Sequence, residues 1–240
     1  MVLAQKIASI YRLQLPNLGL NAIPRQLGRK FVYSHANSEV SAVPLKQALE
    51  LLSKARVWHR ITSTSANGLP LGVETNEKFL KVILLDCGLC SASLGLTLHQ
   101  LASISEITLI NNGGMAEQLT GQILRTIFPA YVPPALYHWL REKKGAEAEI
   151  DYVIQHENQV VAIEVKAGTT GSLKSLREFI SEKKRNLAIR INSDKPSICL
   201  SQTTDSSGSS IEYKLLSLPF YLLGQIHRLI NNSENAHPIE

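Results

Sequence analysis

Cysteines and long apolar runs are both scarce in this sequence. Its 240 residues include three cysteines, an odd and small number that indicates a reducing compartment rather than a disulfide framework. No apolar run approaches the roughly 20 residues that a membrane span needs. The N-terminus also lacks the basic and then apolar pattern of a secretory signal. We therefore expect a cytoplasmic protein with no membrane partner.

Phosphate-binding and zinc-binding motifs are absent as well. No G-x-x-x-x-G-K-[ST] loop of the Walker type occurs, so we expect no ATP site in this chain. Cys87-Gly88-Leu89-Cys90 has C-x-x-C spacing, which is compatible with a redox pair or half of a zinc site. No second pair completes a zinc site, so we favour two small buried residues that follow a strand.

The composition is that of a folded chain with a mild basic bias. Hydrophobic residues make up 44% and charged residues 19%, enough to bury a core. The net charge of +5 raises the expectation of an anionic partner such as nucleic acid, without proving one.

Apolar periodicity predicts two domains of mixed α/β class. Within residues 1–75, an apolar stripe over Leu45–Ala55 predicts a helix and the alternation over 57–62 predicts a strand. Small helices closed by a hairpin are the parts of a winged-helix-like domain, a class that binds DNA or serves as a packing module. Residues 76–240 form the second predicted domain, with a central mixed sheet flanked by helices.

Local signals in the second domain place its elements. The continuous apolar run 79–85 predicts a buried strand, and Gly113-Gly114 is expected to precede a helix. Leu173, Leu176 and Ile180 share a helix face, whereas the serine-rich segment 201–210 predicts a loop.

A β-hairpin carries the candidate chemistry. Two apolar strands, 149–154 and 160–166, flank a two-residue turn at Glu157-Asn158, and Asn tolerates the positive φ that such turns require. Counting outward from a His156–Gln159 pair sets Asp151 opposite Glu164. Alternation then places Asp151, Glu164 and Lys166 on one face, opposite an inward apolar face.

Two carboxylates about 5 Å apart repel each other unless a cation joins them. Mg²⁺, or Mn²⁺, prefers oxygen ligands, and the backbone carbonyl of Val165 could add one to Asp151 and Glu164. Lys166 can then orient an attacking water or stabilise charge on a phosphate, which suits phosphodiester hydrolysis. The competing interpretation is a surface hairpin with an ordinary Glu164–Lys166 ion pair and a solvated Asp151.

These residues resemble a known superfamily. The D…E-x-K hairpin is similar to the core of PD-(D/E)XK nucleases, which have a restriction-endonuclease-like fold. The whole chain resembles the C-terminal half of a family of prokaryotic AAA-type ATPases, usually described as a domain of unknown function. The matching stretches are Ile23–Gly28, Phe79–Leu89, Gly114–Gln118, Leu136–Glu142, Ala148–Ile154, Ala162–Gly168 and Lys174–Phe179.

The resemblance adds one site residue and one expected partner. It implies a further acid on the helix before the hairpin, at Glu117, as a third catalytic and metal-binding carboxylate. Family members carry an ATPase module ahead of this region, so we expect either a shortened form or a gene product without that module. An ATPase module or a second copy of the chain is therefore a candidate partner.

Basic residues concentrate around the hairpin and suggest a surface that follows a nucleic-acid backbone. The candidates are Arg141, Lys174, Arg177, Lys183, Lys184 and Arg185. The alternative is the solvated side of one helix and a loop. Three functions thus stay open: a metal-dependent nuclease acting on DNA or RNA, a non-catalytic module that binds nucleic acid or protein, and an oligomerisation element of the ATPase.

Overall fold

The computed structural model describes residues 20–36, 41–95, 112–142, 147–168 and 172–235. Two compact units interleave along the sequence: Met1–Arg60 with Leu80–Gln118, and Ile61–Phe79 with Leu119–Glu240. The division predicted at residue 75 stays a prediction.

Eight strands form one mixed sheet in the order β2-β1-β3-β4-β5-β6-β8-β7. The strands are β1 (Trp58–Thr64), β2 (Thr75–Leu84), β3 (Leu136–Arg141), β4 (Ala148–His156), β5 (Gln159–Val165), β6 (Leu187–Asn192), β7 (Ser197–Thr204) and β8 (Ser210–Pro219). The helices are α1 (Ala42–Lys54), α2 (Cys87–Ser93), α3 (Asn112–Thr126), α4 (Lys174–Lys183) and α5 (Ile226–Asn235). The predicted mixed α/β class with a helix-flanked sheet is confirmed.

Parallel and antiparallel pairs both occur in the sheet. β3, β4 and β5 pair antiparallel in succession. β5 pairs parallel with β6, and β6 pairs parallel with β8. Parallel neighbours need a crossover connection, and α4, which lies between β5 and β6 in the chain, provides it for that pair. None of the helices in the described ranges is long and apolar enough to cross a membrane.

The first unit has its own apolar core. Leu45 and Leu49 of α1, which belong to the predicted stripe, are fully buried, and the indole N–H of Trp58 donates to the Leu49 carbonyl. The predicted helix near Gly113-Gly114 begins at Asn112, so both glycines lie within its first turn rather than before it. The strand that the sequence assigned to the winged-helix-like domain, β1, is a strand of the eight-stranded sheet.

Gly28 lies close to the Glu117 side chain in the first unit. Its φ is +69°, in the left-handed region that favours glycine. A Cβ at this position would lie 2.8 Å from Glu117 Oε1. The backbone conformation therefore favours glycine here, and any side chain would also displace the Glu117 carboxylate.

The core of the second unit lies between the sheet and α4. Leu176, Phe179 and Ile180 are fully buried in one cluster with Ala162 of β5 and Ala188 of β6. The predicted apolar face of this helix is thus confirmed at Leu176 and Ile180, while Leu173 sits at the N-cap.

The loop predicted at 201–210 is confined to the turn at residues 205–209, and the residues on either side of it are strands. Ser197–Thr204 and Ser210–Pro219 form an antiparallel pair in which Thr204 is opposite Ser210. β7 is the exposed edge strand, so its side chains show no apolar alternation, and backbone pairing with β8 stabilises it instead.

Candidate metal centre

The predicted hairpin and its register are confirmed. His156 pairs with Gln159, and Tyr152 pairs with Ile163. The next position outward in the same register would place Asp151 opposite Glu164, as predicted. The positive φ of the turn lies at Glu157, at 48°, rather than at Asn158 as expected.

A register shift marks the site of Asp151. On β3, one residue, His138, separates Tyr137 from Trp139; on β4, two residues separate their partners Val153 and Ile150. The extra residue makes a β-bulge at Asp151-Tyr152, a device that redirects a side chain and is common next to active sites. The strict alternation assumed from the sequence fails at this point.

The bulge also changes which side chains of the hairpin are buried. Ile150 and Val153, expected on opposite faces, are both buried in the same cluster as Ala162. The expectation of one apolar face and one open polar face is therefore wrong, because β5 is buried on both sides. Glu164 itself is buried, with 8% of its side chain exposed.

Hydrogen bonds hold the acidic end of the hairpin together. Asp151 Oδ2 accepts the backbone N–H of Val165 at 2.8 Å. Lys166 Nζ donates to Glu164 Oε1 at 2.6 Å, and the lysine side chain is 25% exposed. Asp151 is thus fastened to Val165, the residue between Glu164 and Lys166, and the Glu164 carboxylate pairs with the Lys166 ammonium.

Arg190 of β6 extends this group. It lies in parallel register with Glu164, and its Nε donates to Ser217 Oγ at 3.1 Å. A guanidinium fixed in this way is suited to bind a phosphate oxygen. Sequence reasoning did not place this residue beside Glu164, because the two strands are paired through a crossover.

The donor set at this end of the hairpin fits a hard divalent cation. Asp151 and Glu164 supply carboxylate oxygens, the ligand type that such ions prefer. Across the described ranges, no three His, Cys, Asp or Glu side chains are grouped so as to hold a metal. Mg²⁺ tolerates few protein ligands because it keeps several waters, so two carboxylates and the Val165 carbonyl suffice chemically.

Glu117 lies on α3 in the first unit. Its Oε2 is 2.6 Å from Lys81 Nζ, and the lysine side chain is 2% exposed while that of Glu117 is 14% exposed. Such a buried pair has a structural role of its own. Participation of Glu117 in metal binding stays a prediction.

Three of the six predicted nucleic-acid-binding residues are engaged within the protein. Arg141 pairs with Glu178 at 2.9 Å and is 13% exposed. Lys183 pairs with Glu182 at 3.0 Å, and Arg185 donates to the Asn67 carbonyl at 2.8 Å.

The other three face solvent. Lys174 and Arg177 are exposed on α4 and line a small cavity of about 230 Å³. Lys184 ends α4 in a left-handed conformation with 75% of its side chain exposed. The binding surface stays a prediction, now best represented by this exposed set.

The C-x-x-C pair begins a helix. Asp86 caps α2 by accepting the Leu89 N–H at 2.7 Å. Burial, with a smaller contribution from Asp86, raises the pKa of Cys87 to about 11. Burial and then Cys87 and Asp86 raise the pKa of Cys90 to about 12. Thiols that resist ionisation are poor nucleophiles and poor metal ligands, which supports the structural interpretation.

Sequence reasoning missed a polar chain at the turn end of the hairpin. His156 of β4 contacts both His227 and Asn231 of α5, through its two ring nitrogens. The partners are 71 and 75 residues away in sequence, and no spacing rule links them.

Two family models match the chain. Residues 112–221 match the model described as Domain of unknown function (DUF4143), and residues 5–100 match the one described as Domain of unknown function (DUF8612). DUF4143 is known as a C-terminal region of AAA-ATPase-like proteins. No curated protein and no solved structure matches the chain.

Proposed function

We propose that the acidic end of the β4–β5 hairpin is the metal centre of a nuclease-like phosphodiesterase with a restriction-endonuclease-like core. The observation that supports this proposal is the 2.8 Å bond from the Val165 N–H to Asp151 Oδ2, which fastens a residue of the β4 bulge to β5 between Glu164 and Lys166. The antiparallel β3–β4–β5 strands followed by a parallel crossover to β6 support the same core.

Asp151, Glu164 and the Val165 carbonyl would hold the ion. A bound Mg²⁺ or Mn²⁺ supplies Lewis acidity and lowers the pKa of a coordinated water. The Val165 N–H keeps Asp151 oriented, because it fixes one carboxylate oxygen. The bulge aims this side chain toward β5.

Lys166 is the residue we assign to the phosphate and the attacking water. Its ammonium is 2.6 Å from Glu164 Oε1 and partly exposed, so a small rotation can present it to a substrate oxygen. Arg190 would bind a further phosphate oxygen. The exposed Lys174, Arg177 and Lys184 would contact the nucleic-acid backbone, with Arg141, Lys183 and Arg185 behind them.

A cleavage assay tests this function. Single- and double-stranded DNA and RNA are incubated with the protein and Mg²⁺ or Mn²⁺. We expect cleavage that Asp151→Asn abolishes, since asparagine can still accept the Val165 N–H but supplies no charge. Glu212→Gln, an exposed acid on β8, is the matched control and should retain activity. The proposal fails if wild type leaves every substrate intact or if Asp151→Asn cleaves equally well.

One observation favours a second candidate, a non-catalytic module that regulates an ATPase. The Lys166–Glu164 pair already neutralises one of the two carboxylates that a metal would need. A module of this kind would bind nucleic acid or a partner protein, with salt-dependent affinity for nucleic acid. Calorimetric titration with Mg²⁺ separates the two candidates, because the module should release no binding heat.

A further inference from the structure

A cavity of about 400 Å³ lies in the second unit beside the turn end of the hairpin. This volume is within the range of pockets that hold small molecules. Its walls are largely apolar and include Phe128 and Tyr137 together with Pro129 and Pro133. Aromatic walls of this kind suit a flat ring.

The polar side of the cavity begins with a hydrogen-bonded chain. His156, 4% exposed, has Nε2 2.6 Å from Asn231 Oδ1, and an amide oxygen can only accept, so the uncharged tautomer of His156 that fits this bond carries its hydrogen on Nε2. His156 Nδ1 is then an acceptor, and His227 Nδ1, 2.7 Å away, must donate to it.

Ring geometry agrees with this assignment. The centroids of His156 and His227 are 5.0 Å apart with 17° between the ring planes. Since the two Nδ1 atoms are 2.7 Å apart, the rings meet edge to edge in nearly one plane, not face to face. That alignment points the His227 N–H along the lone pair of its neighbour.

His227 lines the cavity. Its hydrogen bond with His156 determines which of its ring nitrogens carries the hydrogen. With its hydrogen on Nδ1, the remaining ring nitrogen, Nε2, is an acceptor, and no described residue donates to it. Burial lowers the pKa of His227, so the ring stays neutral near pH 7. The exposed carboxylate of Glu157 lines the same cavity, and no described lining residue is Lys or Arg.

We infer that this cavity binds a small aromatic amine. Its ring packs between the aromatic walls, and its ammonium group donates to His227 Nε2 and faces Glu157. Ring faces nearby add attraction for the cation. An aromatic carboxylate of the same shape should not bind, because the Glu157 carboxylate and the lone pair of His227 Nε2 both repel it. This site is separate from the acidic end of the hairpin and does not rest on the proposed phosphodiesterase.

Tryptamine and indole-3-acetate make a matched pair of probes, since they share the indole ring and differ in the sign of the charged group. Calorimetry and ligand-observed NMR measure their binding to the full chain. Two variants remove one acceptor each: His227→Phe keeps a ring, and Glu157→Gln keeps the size of an exposed turn residue. Glu212→Gln is the control for loss of a negative charge outside the cavity.

We expect tryptamine to bind in the millimolar range or tighter and indole-3-acetate at least about tenfold more weakly. Glu157→Gln and His227→Phe should each weaken tryptamine by about tenfold, while Glu212→Gln should not. If His227→Phe lowers the melting temperature, Glu157→Gln alone decides. Equal binding of the two probes, no tryptamine binding to wild type, or full affinity in Glu157→Gln overturns the inference.

Discussion

Asp151 Oδ2 accepts the backbone N–H of Val165 at 2.8 Å, so the acid of one strand is fastened to the strand that carries Glu164 and Lys166. The bond lies at a β-bulge, where β4 has one residue more than β3 requires. A bulge leaves a backbone group without its usual ladder partner, and here a side chain from the bulge reaches across to β5. The geometry of the candidate centre therefore depends on β3 as well as on the hairpin itself.

Lys166 competes with a cation for Glu164, because its ammonium is 2.6 Å from Oε1. Lys166→Met should therefore bind Mg²⁺ several-fold more tightly in calorimetric titration while losing nucleic-acid cleavage. Lys195→Met, which removes an exposed lysine from another part of the chain, should change neither property. Weaker Mg²⁺ binding in Lys166→Met would show that this lysine is no competitor.

Glu117 and Lys81 form a buried ion pair in the first unit. Glu117→Gln removes the charge that compensates a lysine of which 2% is exposed, so unfolding in urea should require about 3 kcal/mol less. Glu50→Gln, at an exposed position of α1, should leave stability unchanged. An unaltered unfolding midpoint for Glu117→Gln would remove the structural role and leave the metal-binding role as its explanation.

Lys174 and Arg177 are the exposed members of the predicted basic set on α4. If they contact phosphates, the Lys174→Ala, Arg177→Ala double variant should bind DNA more weakly and reduce the slope of log K against log salt by about 2. Fluorescence anisotropy at several salt concentrations measures this slope. Lys183→Ala, whose lysine is held by Glu182, provides the comparison and should reduce the slope less.

The three cysteines should differ sharply in reactivity. Raised pKa values of about 11 and about 12 keep Cys87 and Cys90 protonated at pH 8, with a thiolate fraction of about one in a thousand or less. Cys199 is exposed on β7. Ellman's reagent should thus label one thiol rapidly in the folded protein and three in urea, and Cys199→Ser should abolish the rapid phase. Rapid labelling of Cys87 would contradict the burial argument.

The register of the hairpin could be predicted from the sequence. The apolar alternation identifies the two strands, and a two-residue turn then sets every pair outward from His156–Gln159. The bulge was not predictable, since it arises from pairing with β3, a strand that lies earlier in the chain. The two-sided burial of β5 follows from α4, whose Phe179 and Ile180 cover the face expected to be open.

Predictions from charge and polarity failed at positions where tertiary contacts determine the structure. Lys183 looks like part of a basic run, yet Glu182 and Asn67 hold it in the second unit. The serine-rich stretch looks like a loop because an edge strand needs no apolar pattern when backbone pairing stabilises it. Neither contact can be read from residues adjacent in sequence.

Crystals soaked in Mn²⁺ provide the most direct measurement of the metal centre, since anomalous scattering locates the ion independently of any activity. The account predicts an anomalous peak bonded to carboxylate oxygens of both Asp151 and Glu164, with Lys166 Nζ displaced from Glu164, and no peak in Asp151→Asn. A soaked crystal without such a peak, in which Lys166 still pairs with Glu164, would contradict it.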